Sequence, residues 1–271
     1  MSNKVVIITG CSSGIGLSTA KKYKDEGYTV IGLDISQCPI SDIITFYKCD
    51  LSNEKEIVHT INNIKRLYQS VNYLICSAGI FFDKQRSFLD NMDINEWTNT
   101  IQCNLTGSML IFRETFQLIQ KAKGDKAVLF VSSDQAQHPR CKNSAYAVSK
   151  GGLITLAKVC AAESINYGIR VNAIEPASVR TNFINRLFET EEQKESIYEK
   201  ENDKMPLGLI EPDDVAELII FLCSEKAKRI TGQSISNRWR TAIISSTSGR
   251  RSSGRKESNR FRSRSRPQSG N

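Results

Sequence analysis

Tyr146 and Lys150 stand four positions apart in the stretch SAYAVSKGG, and Ser133 lies 13 residues before the tyrosine. Residues four apart on a helix share one face, so this spacing sets a phenol beside an ammonium. A free phenol titrates near 10 and is a poor base at neutral pH. A cation within about 4–6 Å favours the phenolate and lowers that value by about one to three units. The chemistry this pattern suits is proton exchange at Tyr146, a tuned acid/base, with Lys150 supplying the charge. The plainer alternative is an exposed polar pair on a solvated face.

A second constellation lies near the start of the chain. TGCSSGIG, residues 9–16, follows the apolar run KVVIITG and opens a helical pattern, with glycines at 10, 14 and 16. Such a turn lets the backbone approach a pyrophosphate, which then faces a helix N-terminus. No Lys-Ser/Thr follows the last glycine, which excludes a P-loop. Asp34 ends the second apolar run, 18 residues after Gly16. A carboxylate there accepts from adenosine ribose hydroxyls and repels a 2′-phosphate. With no arginine or lysine in the turn or beside Asp34, NAD is favoured over NADP.

The elements that must position these groups alternate along the chain. Strand-like runs (KVVIITG, TVIGLD, ITFYKCD, VNYLICSAG, KAVLFVSS, IRVNAIEP) are separated by helical patterns. These run over about 14–26, 53–69, 95–122, 144–168 and 212–225, the last opening on a proline and acids. Short, nearly continuous apolar strands between helices predict an α/β, Rossmann-type, doubly wound parallel sheet with helices on both faces. Ligands in such sheets sit beyond the carboxyl ends of the strands. The charged region 181–206 is helix-prone and fits a lid, with Phe183, Ile184, Leu187 and Phe188 as its apolar positions.

Taken in order, TGCSSGIG, CDLS, CSAG, CNLTG, VSS, YAVSK and RVNAIEPASVRT resemble the short-chain dehydrogenase/reductase family over residues 4–235. The resemblance implies an NAD(P)-dependent oxidoreductase interconverting a secondary alcohol and a ketone. It makes Tyr146 the general acid/base and Lys150 its partner, Ser133 rather than Ser132 the group that polarises the substrate carbonyl, and Asn104 the support of a proton-relay water. Implied cofactor contacts are Gly10, Ser12, Ser13, Gly14, Ile15, Gly16, Asp34, Asp50, Leu51, Ala78, Gly79, Tyr146, Lys150, Pro176, Val179 and Thr181. Cys76 and Ser77 stand where the family usually has two asparagines, and Ala177 where it has a glycine. The family also implies a homo-oligomer. Two alternatives remain open: a 3-oxoacyl-[acyl-carrier-protein] reductase using NADP, and a noncatalytic dinucleotide-binding protein working through its tail.

The chain has 271 residues, enough for one sizeable core. No run reaches the roughly 18 apolar residues of a membrane span, and no signal-peptide pattern opens it, so a cytoplasmic protein is expected. Eight cysteines are scattered singly and read as reduced core residues; with only two histidines, no metal site is expected. Arg140 reads as a solvated loop charge. Residues 1–236 form the expected NAD-binding domain and hold 27 basic and 28 acidic residues, giving no reason to expect nucleic acid. Residues 237–271 hold ten basic residues and one acid, a tail expected to be disordered. After ITGQSIS, Asn-Arg-Trp-Arg can be written AAT CGA TGG CGG A, and one base later this reads Ile-Asp-Gly-Gly, the ending usual in the family. A single-base frameshift near Ser236 would account for the tail; the competing reading is a functional basic Arg/Ser segment for nucleic acid or an anionic partner.

Overall fold

Five β-branched or small residues, VVIIT, make β1 (Val5–Thr9), buried on both faces past its first residue. In the computed structural model, which describes residues 4–81, 87–181, 190–203, 205 and 207–236, it lies near the centre of a seven-stranded sheet. The other strands are β2 (Thr29–Asp34), β3 (Thr45–Lys48), β4 (Tyr73–Cys76), β5 (Lys126–Val131), β6 (Ile169–Glu175) and β7 (Ser234–Ser236). Their order is β3-β2-β1-β4-β5-β6-β7 and every pairing is parallel. The direction of winding reverses between β1 and β4, which opens a crevice at their carboxyl ends.

Period-two alternation divides the core into two layers. Ile7, Leu74, Val128 and Phe130 face α2 (Glu54–Leu67), α4 (Gly107–Lys121) and α5 (Ser144–Ser164) through Ile57, Ile61, Ile111, Leu118 and Leu153. Val6, Ile8, Ile75 and Leu129 face α1 (Gly14–Asp25) and α7 (Pro212–Cys223) through Ala20, Tyr23, Val215 and Ile219. The expected doubly wound α/β fold is the one observed.

Local chemistry starts and stops these helices. Asn53 caps α2 by accepting from the N–H groups of Lys55 and Glu56. Pro212 opens α7, and Asp214 accepts from the Glu211 N–H at 2.8 Å. Gly168, at φ +67°, ends the turn that follows α5. The single helix expected over 95–122 is instead α3 (Ile94–Ile101), a π-helical turn at Gln102–Thr106, and α4. Within 181–206, α6 spans Glu191–Asn202.

Phe183, Ile184, Leu187, Phe188 and the tail 237–271 lie outside the described residues. All eight cysteines are free thiols and all but Cys141 are buried. Among the described residues no helix is long and apolar enough to cross a membrane, and no acidic, His or Cys cluster could hold a metal.

Candidate active site

A cleft of about 850 Å³ opens beyond the carboxyl ends of the strands. One half is built by residues following β1, β2, β3 and β4. Gly10 and Gly14 adopt left-handed backbone, φ +72° and +52°, so the chain turns sharply into α1. A Cβ on Gly10 would lie 2.8 Å from the Ala78 backbone, and one on Gly16 would lie 2.1 Å from the Gly10 carbonyl oxygen. The turn can therefore press against both the β4 loop and its own helix. Ser13, at the start of α1, makes no side-chain cap bond, which leaves the first-turn amides to the cleft. Gly16 itself packs beneath this wall rather than lining it.

Asp34 ends β2 on the same wall. Its carboxylate accepts from the Ser12 N–H at 3.0 Å and the Ser36 N–H at 2.9 Å, so turn and acid hold each other in place. Asp50 is fixed likewise, by the Ser52 N–H and hydroxyl at 2.8 Å each, and Leu51 follows it along the wall. The Thr9 hydroxyl accepts from the N–H groups of Ser77 and Ala78 at 3.1 Å each. The Thr9 side chain thus holds the CSAG segment by its backbone, with Cys76 buried. These fixed acceptors, free first-turn amides and close-packed glycines fit a dinucleotide.

The other half is built around α5. Ser133 follows β5, Tyr146 and Lys150 lie in the first two turns of α5, and all three line the cleft. Tyr146 packs edge-to-face on Phe81 with ring centroids 5.2 Å apart, and the Ser133 hydroxyl lies near enough to its phenol to favour the phenolate. Ser132 points elsewhere, donating to the Lys150 carbonyl at 2.7 Å. Pro176, Val179 and Thr181 complete this side; the Pro176 carbonyl accepts from the Asp134 N–H at 3.0 Å, and the Thr181 methyl sits 3.1 Å from where a Gly14 Cβ would be. Asn104 lies beneath the wall, fully buried in the π-turn, and its amide bonds both backbone groups of Ile80 and the Ser149 hydroxyl.

The electrostatics differ from the sequence expectation. Burial pushes Tyr146 up to about 12; the Ser133 hydroxyl pulls it down, the Asp134 carboxylate pushes it up, and Arg140 pulls it down. Burial also pushes Lys150 down to about 8. The ammonium does not lower the phenol as the i,i+4 spacing suggested. Its Nζ donates to the Val131 carbonyl at 2.8 Å and sits 5.7 Å from the Tyr146 ring centroid, and desolvation outweighs what it offers at that range.

Two acids here carried no signal in the sequence. Asp134 lies directly against Ser133. Glu201, near the end of α6, accepts from the Ser178 hydroxyl at 2.8 Å and lies 3.9 Å from Arg140. Arg140 is therefore a solvated loop charge, as expected, placed on the rim of the cleft with Glu201 at the edge of ion-pair range. Nothing local marks Glu201, because its partners are 23 and 61 residues away in the chain.

A family model described as enoyl-(acyl carrier protein) reductase matches residues 10–237. The short chain dehydrogenase adrF of Penicillium roqueforti is 31% identical over 251 residues, covering 87% of this chain and 96% of the relative. The chain is a short-chain dehydrogenase/reductase. As a member it is an oxidoreductase of the class that acts on CH–OH groups with a nicotinamide cofactor. This dehydrogenase is 29% identical to the 3-oxoacyl-[acyl-carrier-protein] reductase FabG of Thermotoga maritima, covering 87% of the chain and 96% of that protein. Its fold matches the ligand-free aldohexose dehydrogenase of Thermoplasma acidophilum with TM-score 0.81 at 28% identity, covering 87% and 92% of the two chains. It matches the 3-ketoacyl-(acyl-carrier-protein) reductase of Brucella melitensis, solved with NADH, with TM-score 0.76 at 28% identity over 86% and 96%.

Proposed function

We propose that this enzyme uses NAD to interconvert a secondary alcohol and a ketone, with Tyr146 as general acid/base. The observation that carries the reading is that Ser133, Tyr146 and the buried Lys150 line the same cleft as the glycine turn and Asp34. Gly10, Ser12, Ser13, Gly14 and Ile15 would hold the pyrophosphate region, Asp34 the adenosine ribose, and Asp50 and Leu51 the adenine. Ala78, Gly79, Pro176, Val179 and Thr181 would hold the nicotinamide half, and Gly16 keeps the turn close. The bound cofactor supplies the hydride in one direction and accepts it in the other.

The chain supplies the proton and the orientation. In reduction Tyr146 Oη gives its proton to the substrate oxygen, and in oxidation it takes one from the hydroxyl. Ser133 Oγ holds that oxygen in place. Lys150, anchored on the Val131 carbonyl, binds the nicotinamide ribose, and Asn104 keeps the β4 loop in register with α5. Asp34 favours NAD, because a 2′-phosphate would meet a carboxylate there. For the same reason a 3-oxoacyl-[acyl-carrier-protein] reductase using NADP is the weaker reading. A noncatalytic role leaves the buried Ser133–Tyr146–Lys150 group without a use.

Fluorescence titration with NADH and NADPH, followed by a ketone panel, tests this. NADH should bind more tightly. Tyr146→Phe should keep NADH binding and lose about 10²–10⁴-fold in turnover. A variant retaining more than about a tenth of the activity would remove Tyr146 from this role.

A further inference from the structure

Among the described residues, five buried side-chain polar atoms have no partner, and of their residues Asn143 alone lines the cleft. Asn143 is 5% exposed and stands at the N-cap of α5, just ahead of Tyr146. An asparagine there ordinarily turns its side-chain oxygen onto the free N–H groups of the first turn. Asn143 makes no such bond. Its Nδ2 donates instead to Gln135 Oε1 at 2.8 Å, and its Oδ1 is left over. Buried acceptors without a donor are rare, because each has given up the bond it made with water.

Gln135 is the other half of the arrangement. Its N–H donates to Ser133 Oγ at 3.2 Å, which ties it to the group that steadies the substrate oxygen. Its Oε1 is taken by Asn143, so Nε2 is the donor it has to offer, and it too lines the cleft. The coupled amides therefore present one donor and one acceptor. Exchanging nitrogen for oxygen in both side chains leaves that pairing the same. A hydroxyl is the small group that both gives a proton and accepts one. The last torsions of both amides are broad, so a modest turn brings Oδ1 to a ligand in the cleft. Arg140, Ser178 and Glu201 continue the same wall with polar side chains.

We propose that Gln135 and Asn143 form a subsite for a hydroxyl on a carbon close to the reacting one, which makes the substrates hydroxy ketones and the corresponding diols rather than plain ketones or acyl chains. This rests on the reading of Ser133 and Tyr146 as the groups that meet the reacting oxygen. Gln135 is bonded to one of them and Asn143 opens the helix that carries the other, so the hydroxyl they take belongs near that centre. Gln135 Nε2 donates to its oxygen and Asn143 Oδ1 accepts from it. A substrate with only hydrogen at that position displaces water and leaves both amide atoms unmatched.

Matched pairs test this with the intact enzyme: cyclohexanol against the vicinal cyclohexanediols with NAD, and butanone against acetoin with NADH. In at least one pair the hydroxylated member should have the higher kcat/KM, by about 10-fold or more. Gln135→Met combined with Asn143→Leu replaces both amides by apolar chains of similar size and leaves neither partner stranded. It should bring that ratio to within about twofold of unity with NADH still bound. Each ratio compares two substrates in one preparation, so a smaller folded fraction cancels. Asn143→Ser removes the amide but keeps a capping residue type; it should lower the ratio too, and carries the test if the double variant fails to hold NADH. Hydroxylated members turned over no faster than plain ones by the wild type, or a ratio the variants leave unchanged, would overturn the subsite. Wild-type turnover in Tyr146→Phe would instead overturn the acid/base reading beneath it.

Discussion

Lys150 is 4% exposed, and burial drives its ammonium down to about 8 from 10.5. A lysine whose folded value lies below its unfolded value binds its proton less readily in the native state. It therefore costs stability fully below pH 8, and the cost fades as pH rises from 8 to 10.5. Lys150→Met should raise stability at pH 7 by on the order of 1–2 kcal/mol, the lost bond to the Val131 carbonyl offsetting part of the gain, while turnover is abolished. Urea unfolding of the two proteins at pH 7 and pH 10 should show the difference shrinking. Equal midpoints at both pH values would mean that the ammonium stays well solvated. Residue spacing made Tyr146, Lys150, Ser133, Asp34 and the glycines legible. It did not reveal the balance between burial and charge around the phenol, because a sequence shows how many turns separate two groups but not how much water remains between them.

Helices were legible where side chains repeat and caps announce the ends. The polar helical pattern over 53–69 marked α2 without its Asn53 cap, and Pro212 with its acids marked α7. The π-turn at Gln102–Thr106 was not legible, since one extra residue in a turn hardly disturbs an apolar pattern already broken by polar positions. Its effect is to bring the Asn104 amide onto both backbone groups of Ile80 and so join α3 and α4 to the β4 loop. The caps can be weighed separately from the site. Asn53→Ala removes an acceptor for the Lys55 and Glu56 N–H groups at 3.1 and 3.4 Å. It should cost about 1 kcal/mol, or about 2–4 °C in Tm, with NADH affinity unchanged. Thermal unfolding with a parallel NADH titration would check both halves of that statement.

Across the whole molecule, stability and chemistry occupy opposite ends of the sheet. At the amino ends of β5 and β6, Arg170 is 6% exposed and pairs with Asp125 at 3.0 Å. Its guanidinium also donates to the carbonyls of Leu222 at 2.5 Å, Ser224 at 3.1 Å and Ala227 at 3.2 Å, tying the end of α7 to the sheet. Asp125→Ala leaves a buried cation without its carboxylate and should cost about 3–5 kcal/mol. The folded fraction should still bind NADH as wild type does. Calorimetry together with NADH binding at low temperature tests this, and a loss of affinity in the folded protein would show that the two ends are coupled. The alternation of strands and helices foretold the fold class, but Arg170 and Asp125 lie 45 residues apart and only the parallel pairing of β5 with β6 brings them together.

The reversal of winding between β1 and β4 also divides the gene. In the proposed reading, the lining between Gly10 and Gly79 would hold most of the coenzyme, and the lining between Ser133 and Glu201 would hold its nicotinamide end and meet the substrate. Drift in the second segment can therefore retarget the enzyme to new alcohols while the first goes on recognising the same coenzyme. Descendants of one ancestor can diverge in diet without changing currency.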